Sequence, residues 1–286
     1  MSLFSLTNGT LAAAPRPPRL CYGGEVATIR SDHLDPARQR LQLGAELIGS
    51  DGVDAAVQIV LLALEALEAA GVANVSVDFT LPDLVDVLAD GAFPLDPSAR
   101  EAVRRELDTK DPGGLAAAGG HDYLPLLYAT GPFSEAADKL KALDAGGELA
   151  SRIEGLEAIV ERIGSRARIT LDPTERHGFE YQSWFGFTIY AAGARNAIGR
   201  GGTYTIRGSD EAATGFSLYA EPLLEALGSA EGAPRDTLFL PTDHDPSVAA
   251  RLRAIGWRTV AAIDDGNDAL ALGCTHRLDG SEPVAL

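Results

Sequence analysis

Strand-forming segments lie on both sides of one long helical stretch, and this order restricts the fold more than any other feature. From about residue 96 to 161 the pattern is helical throughout. It is broken only at Asp111-Pro-Gly-Gly114, Gly119-Gly120, Gly131-Pro132 and Gly146-Gly147, because Gly and Pro punctuate helices. Ahead of it, residues 19–29 and 38–48 read as strands around a turn-rich loop at Ser31-Asp-His-Leu-Asp-Pro36. A helix is expected over 51–70, with Asp51 or Asp54 as cap and Gly71 as stop. Then come a β-branched strand over 72–79 and a short helix over 83–89. Behind the helical stretch, residues 168–171, 179–190, 203–207 and 215–219 read as strands and 220–227 as helix. Strict strand–helix–strand alternation is rare. The expected fold is therefore α+β, a mixed and mainly antiparallel sheet with packed helices, rather than a doubly wound sheet.

Residues 1–227 are expected to form this core, with residues 96–161 as a helical insertion. The small, polar stretch 228–234 reads as a linker. Residues 235–286 are expected to form a small C-terminal α/β appendage: strand 237–240, helix 246–255, strand 258–262 and an apolar stretch at 269–272.

Charge narrows the function. Lys+Arg number 24 and Asp+Glu 41, a formal net charge of −17. A nucleic-acid binder needs clustered cations to meet phosphates, and no run of Lys or Arg stands out, so no nucleic-acid partner is expected. Cys21 and Cys274 have no metal-ligand spacing and read as reduced thiols. No segment approaches the length of apolar chain that spans a bilayer, and no leader pattern precedes residue 19. A cytoplasmic protein without membrane partner or cofactor is expected.

Four segments carry the chemistry. Tyr22-Gly-Gly-Glu-Val-Ala-Thr-Ile-Arg30 leads into Arg38-Gln-Arg-Leu-Gln-Leu-Gly-Ala-Glu-Leu-Ile-Gly49. Gln42 and Glu46 are four apart on a strand, so both point to one face. A carboxylate there can pair with an amino acid's ammonium, with the amide beside it; the plainer alternative is a solvated polar face. Next are Arg176-His-Gly-Phe-Glu-Tyr-Gln-Ser-Trp-Phe-Gly-Phe187, Ala197-Ile-Gly-Arg-Gly-Gly-Thr-Tyr204 and Thr214-Gly-Phe-Ser-Leu-Tyr-Ala-Glu-Pro-Leu223. Gly199–Gly202 lacks the lysine and following helix of a phosphate loop and reads as a tight turn. His33, His121, His244 and His276 are scattered, and Asp243, Asp245, Asp264 and Asp265 fall at turns and caps; no metal site is expected.

Together these segments resemble the catalytic core of the histidyl-tRNA synthetase family of class II synthetases: its motif 2, its histidine-recognition segment, a Gly-Gly-Arg-Tyr strand and motif 3. The resemblance implies a histidine-like pocket from Arg38, Gln42, Glu46, His177, Glu180 and Tyr181. It also shows losses. Pro222 stands where motif 3 has its ATP-holding arginine, Thr28 where motif 2 has one (Arg30 being two residues further on), His177 where a substrate-contacting arginine sits, and Thr203 where another is expected. Adenylation stabilises charge growing on a phosphate, and losing one fixed donor typically costs about 10²–10³-fold.

That pattern is similar to the regulatory-subunit family of ATP phosphoribosyltransferase. Glu180-Tyr181 after Gly178-Phe179 and the Leu272-Gly-Cys-Thr-His276 ending also resemble it. The implied role is a non-catalytic partner of the short-form catalytic subunit, needed for the first step of histidine biosynthesis and for its feedback regulation by histidine. The alternatives are a free-standing histidine or amino-acid sensor and a divergent amino-acid-adenylating enzyme. Only residues 1–18 precede the motif 2 strand, so the motif 1 region is expected to be absent. The family's symmetric dimer is then an open matter, and Asn8 is the nearest stand-in for an acidic ligand contact.

Overall fold

The computed structural model describes residues 14–27, 39–144, 146–176, 182–228 and 236–286. The chain divides into two compact units, Met1–Gly228 and Ser229–Leu286.

In the first unit, β1 (Arg19–Ala27) and β2 (Gln39–Ile48) pair antiparallel. The helix α1 (Val53–Ala69) follows, then β3 (Val75–Thr80) and α2 (Leu84–Asp90). Next come α3 (Pro97–Asp108), α4 (Pro112–Ala117), a 3-10 segment His121–Tyr128, and the two-residue strand β4 (Gly131–Pro132). Then α5 (Phe133–Leu143) and α6 (Ala150–Ile163) complete the helical stretch. β5 (Arg168–Leu171), β6 (Gln182–Ala191), β7 (Gly199–Thr205), β8 (Ala212–Tyr219) and α7 (Ala220–Leu227) end the unit. The eight strands order as β1-β2-β8-β7-β6-β3-β5-β4. Among them only β3 and β5 pair parallel; the other neighbours are antiparallel. This is the mixed, mainly antiparallel sheet the strand order predicts.

The sheet has one apolar and one polar face. Ala45, Leu47, Val77, Phe79, Phe187 and Phe216 are buried on the first, in one core with α1 and α6. The helix α1 buries Ala56, Ile59, Val60, Ala63, Leu64 and Leu67, the three- and four-residue spacing of a helix lying on a core. Phe79 meets Phe185 edge-to-face at 5.3 Å between ring centroids and Phe133 at 6.3 Å.

Three local expectations change. The cap of α1 is Gly52, with no side-chain cap bond. Asp51 instead offers its carbonyl to the Trp184 indole, 2.6 Å away, and Asp54 sits in the first turn, where the helix dipole favours a carboxylate. The Gly199–Gly202 segment is strand, not turn. Its bare backbone lies between β6 and β8, and a Cβ at Gly201 would meet the Phe187 ring and the Gly215 carbonyl. Gly131-Pro132 is not only a helix break; it pairs with β5 at the sheet edge, where a proline is tolerated.

The second unit has its own sheet, ordered β10-β9-β11-β12, from β9 (Thr237–Leu240), β10 (Arg258–Ala261), β11 (His276–Asp279) and β12 (Glu282–Ala285). The helix α8 (Pro246–Ala254) joins β9 to β10, which run parallel. Leu238, Leu240, Ala249, Leu252 and Leu278 form its core. The apolar stretch 269–272 is a turn, with Ala269 buried against Phe239 and Cys274. β11 and β12 are short and mostly exposed, so they carry too little apolar pattern to be read from sequence.

Candidate functional site

The polar face of the large sheet holds a cavity of about 780 Å³. Its geometry follows from the strand register. Glu46 on β2 lies opposite Gly215 on β8, which lies opposite Gly202 on β7, then Gly186 on β6. Directly opposed residues share a face, so three glycines in a row form a bare floor. Glu46 stands at one end, and a Cβ at Gly215 would collide with its carboxylate. Gln182 stands at the other, over Gly186 and Gly202; its amide donates to the Gly201 carbonyl at 2.9 Å. The register slips between Gln182 and Gly186, the kind of irregularity that re-aims a side chain.

The next row supplies the hydrogen-bonding wall. Tyr22, Gly44 and Ser217 are in register across β1, β2 and β8. Gln42 Nε2 donates to Tyr22 Oη at 2.8 Å and to Ser217 Oγ at 2.6 Å, and these two hydroxyls are 2.7 Å apart. Gly44 is required: a side chain there would run into the Tyr22 ring. Burial pushes the Tyr22 phenol upward, offset in part by its bonds to Ser217 and Gln42.

Glu46 is the unusual group. It is only 8% exposed, and burial lifts its pKa to about 7, against the lowering effect of the Tyr204 hydroxyl, which donates to Glu46 Oε2 at 2.8 Å. Desolvation produces such a shift, and among the described residues no cation offsets it. A ligand cation seated here would do so.

Gln42 and Glu46 therefore lie on one face and line one cavity. Arg38, His177, Glu180 and Tyr181 lie outside the described residues, as do Thr28, Arg30 and Asn8. Tyr22, Gln182, Arg200, Tyr204 and Ser217 also line the cavity; of these, sequence reasoning marks only Gln182, which stands where the resembled family has the second tyrosine of its recognition segment. The signal for two of them is present in the alternation that places Tyr22 opposite Gly44 and Tyr204 two residues beyond Gly202. Thr203 faces away. It is fully buried and bonds Ser183 Oγ at 2.8 Å and the Phe185 backbone, so its presence removes no contact from the cavity. Pro222 sits in the first turn of α7, where a missing N–H is tolerated. The neighbouring Glu221 accepts the Leu41 backbone N–H at 3.1 Å. No metal-holding cluster of His, Cys, Asp and Glu occurs among the described residues, and none of their helices is long and apolar enough to cross a membrane.

Comparison with known proteins agrees with this architecture. The sequence profile of histidyl-tRNA synthetase matches residues 6–223. An ATP phosphoribosyltransferase regulatory subunit of Rhodospirillum centenum is 38% identical over 92% of this chain and 70% of its own length. Among solved structures, an ATP phosphoribosyltransferase regulatory subunit/histidyl-tRNA synthetase from Bacillus halodurans superposes with a TM-score of 0.74 at 22% identity, covering 95% of this chain and 75% of its own. A chain of the ATP phosphoribosyl transferase (HisG:HisZ) complex from Thermotoga maritima gives 0.58 at 18% identity, covering 76% and 78%. With a synthetase-type sheet and this identity over nearly its whole length, the chain belongs to the ATP phosphoribosyltransferase regulatory subunit family.

Proposed function

We propose that the chain is the non-catalytic regulatory partner of a short-form ATP phosphoribosyltransferase catalytic subunit. In that role it serves the first step of histidine biosynthesis in the cytoplasm and transmits feedback inhibition by histidine. The observation that carries the proposal is 38% identity to a regulatory subunit over most of both chains. The Thermotoga complex, whose fold this chain shares, supports a hetero-oligomer. Pro222 supports the absence of adenylation, since a proline offers neither charge nor donor to a nucleotide phosphate.

The cavity is read as the histidine pocket. Glu46 takes the α-ammonium, Gln42 hydrogen-bonds beside it, and Arg38, His177, Glu180 and Tyr181 complete the set. Feedback then requires that histidine bind two states of the assembly unequally. Mixing the chain with the catalytic subunit tests the proposal. Co-elution and a change in phosphoribosyl transfer that responds to histidine are expected; no co-elution and unchanged activity would sink it. The cavity with its Glu46, Gln42 and Arg200 side chains also supports a free-standing amino-acid sensor. That reading wins if calorimetry shows histidine binding that the catalytic subunit neither joins nor alters. Histidine-dependent pyrophosphate–ATP exchange would reinstate an adenylating enzyme.

A further inference from the structure

A row of polar residues leaves the cavity and crosses the sheet. Ser217 on β8 is opposite Arg200 on β7, Arg200 is opposite Thr188 on β6, Thr188 is opposite Asp78 on β3, and Asp78 pairs with Thr170 on β5. All five therefore share the cavity's face of the sheet. Arg200 lines the cavity. At the far end, Asp78 accepts the Thr170 hydroxyl at 2.6 Å and is hydrogen-bonded to the Glu175 carboxyl. Two carboxyl groups sharing a hydrogen bond hold one proton between them, because both cannot ionise at contact. Burial pushes both upward; the Asp78 charge and hydrogen bond raise Glu175 further, the same bond lowers Asp78, and the Arg200 charge opposes the rise at Glu175.

Other groups face the pair. Asp172 repels both carboxyls, and Lys110 lowers Asp78 while holding Asp172 at 2.7 Å and Thr174 Oγ1 at 2.5 Å. Tyr190 senses Glu175, Asp78 and Arg200, and Tyr219 senses Arg200 and Arg40. Among the described residues, Arg200 is thus the charged side chain that both lines the cavity and acts on the carboxyl pair.

We infer that Arg200 is the carboxylate-reading residue of the pocket, shared with the Asp78–Glu175 pair, so that binding of a ligand carboxylate is coupled to proton uptake by that pair. This rests on the amino-acid reading of the cavity. A guanidinium has five donors in a planar fork, enough to face Glu175 on one side and a ligand carboxylate on the other. A ligand carboxylate draws on the Arg200 charge and stabilises the protonated pair. By linkage, the proton taken up makes carboxylate ligands bind more tightly as pH falls.

Glu46 and the ligand imidazole also titrate, so the test compares variants. Histidine affinity is measured by calorimetry from pH 6 to pH 8 for the full chain and for Glu175→Gln, in which the amide mimics the protonated acid. The ratio of wild-type to variant affinity is expected to rise toward low pH by up to about tenfold, the equivalent of one unit of pKa displacement. In an Arg200→Gln background the ratio is expected to be flat. Asp78→Asn gives a second route to the same comparison if Arg200→Gln fails to fold. A ratio that is flat in the wild-type background while histidine still binds overturns the inference and leaves the pocket. Absence of histidine binding, by the chain alone or mixed with the catalytic subunit, removes the pocket and this inference with it.

Discussion

Glu46 joins burial and charge in one side chain. The folded chain keeps its proton up to about pH 7, whereas the unfolded chain releases it near the ordinary glutamate value of about 4.3. The folded state therefore binds more protons between those limits, and stability falls as pH rises through them. Glu46→Gln is isosteric with the neutral acid. It is expected to leave stability at pH 4 nearly unchanged and to raise it at pH 8 by up to about 3–4 kcal/mol; urea unfolding at the two pH values reads this. An identical pH profile for both chains would contradict it. Tyr204→Phe removes the donor that lowers Glu46. The pH at which Glu46 ionises should then move upward, as read by carboxyl NMR titration, with a loss of about 1 kcal/mol for the bond.

At the scale of elements, the glycines of β7 and the aromatic cluster under it are the sensitive places. Gly201→Ala would press a methyl group on the Phe187 ring and the Gly215 carbonyl. Overpacking of this kind costs about 1–3 kcal/mol, measurable as a lower urea midpoint. Phe79→Ala would empty the centre of the cluster with Phe185 and Phe133. It is expected to cost about 3–5 kcal/mol, with loss of near-UV circular dichroism. A strand's period of two already places Gln42 and Glu46 together, which is why this pair is legible without a structure. The bare glycine floor is not legible, because Gly186, Gly202 and Gly215 are distant in sequence and meet only through strand register. Glycine composition suggests a turn at 199–202, yet close packing between two neighbouring strands makes it strand.

For the whole molecule, the balance of 24 cations against 41 acidic groups sets long-range behaviour. A chain of this charge repels polyanions except at a local basic patch. Gel-shift titration with tRNA at low ionic strength is expected to show no specific complex. A specific complex there would count against the regulatory reading. Association with the catalytic subunit is the complementary measurement, and its outcome ranks the regulatory partner above or below the free sensor.

The sequence by itself determined the sheet's mixed character, most of its strands, the family and the Gln42–Glu46 pair, because alternation and helical spacing are local and the motif residues are contiguous. Only the tertiary structure decided what surrounds that pair. Tyr22, Ser217 and Tyr204 reach it from three other strands. Thr203, which the motif comparison placed beside the substrate, turns into the core. Arg200 is linked to a carboxyl pair by a register running through three strands. These relations depend on which strands are neighbours and on which face each residue takes, and both are set by long-range pairing and burial rather than by local sequence.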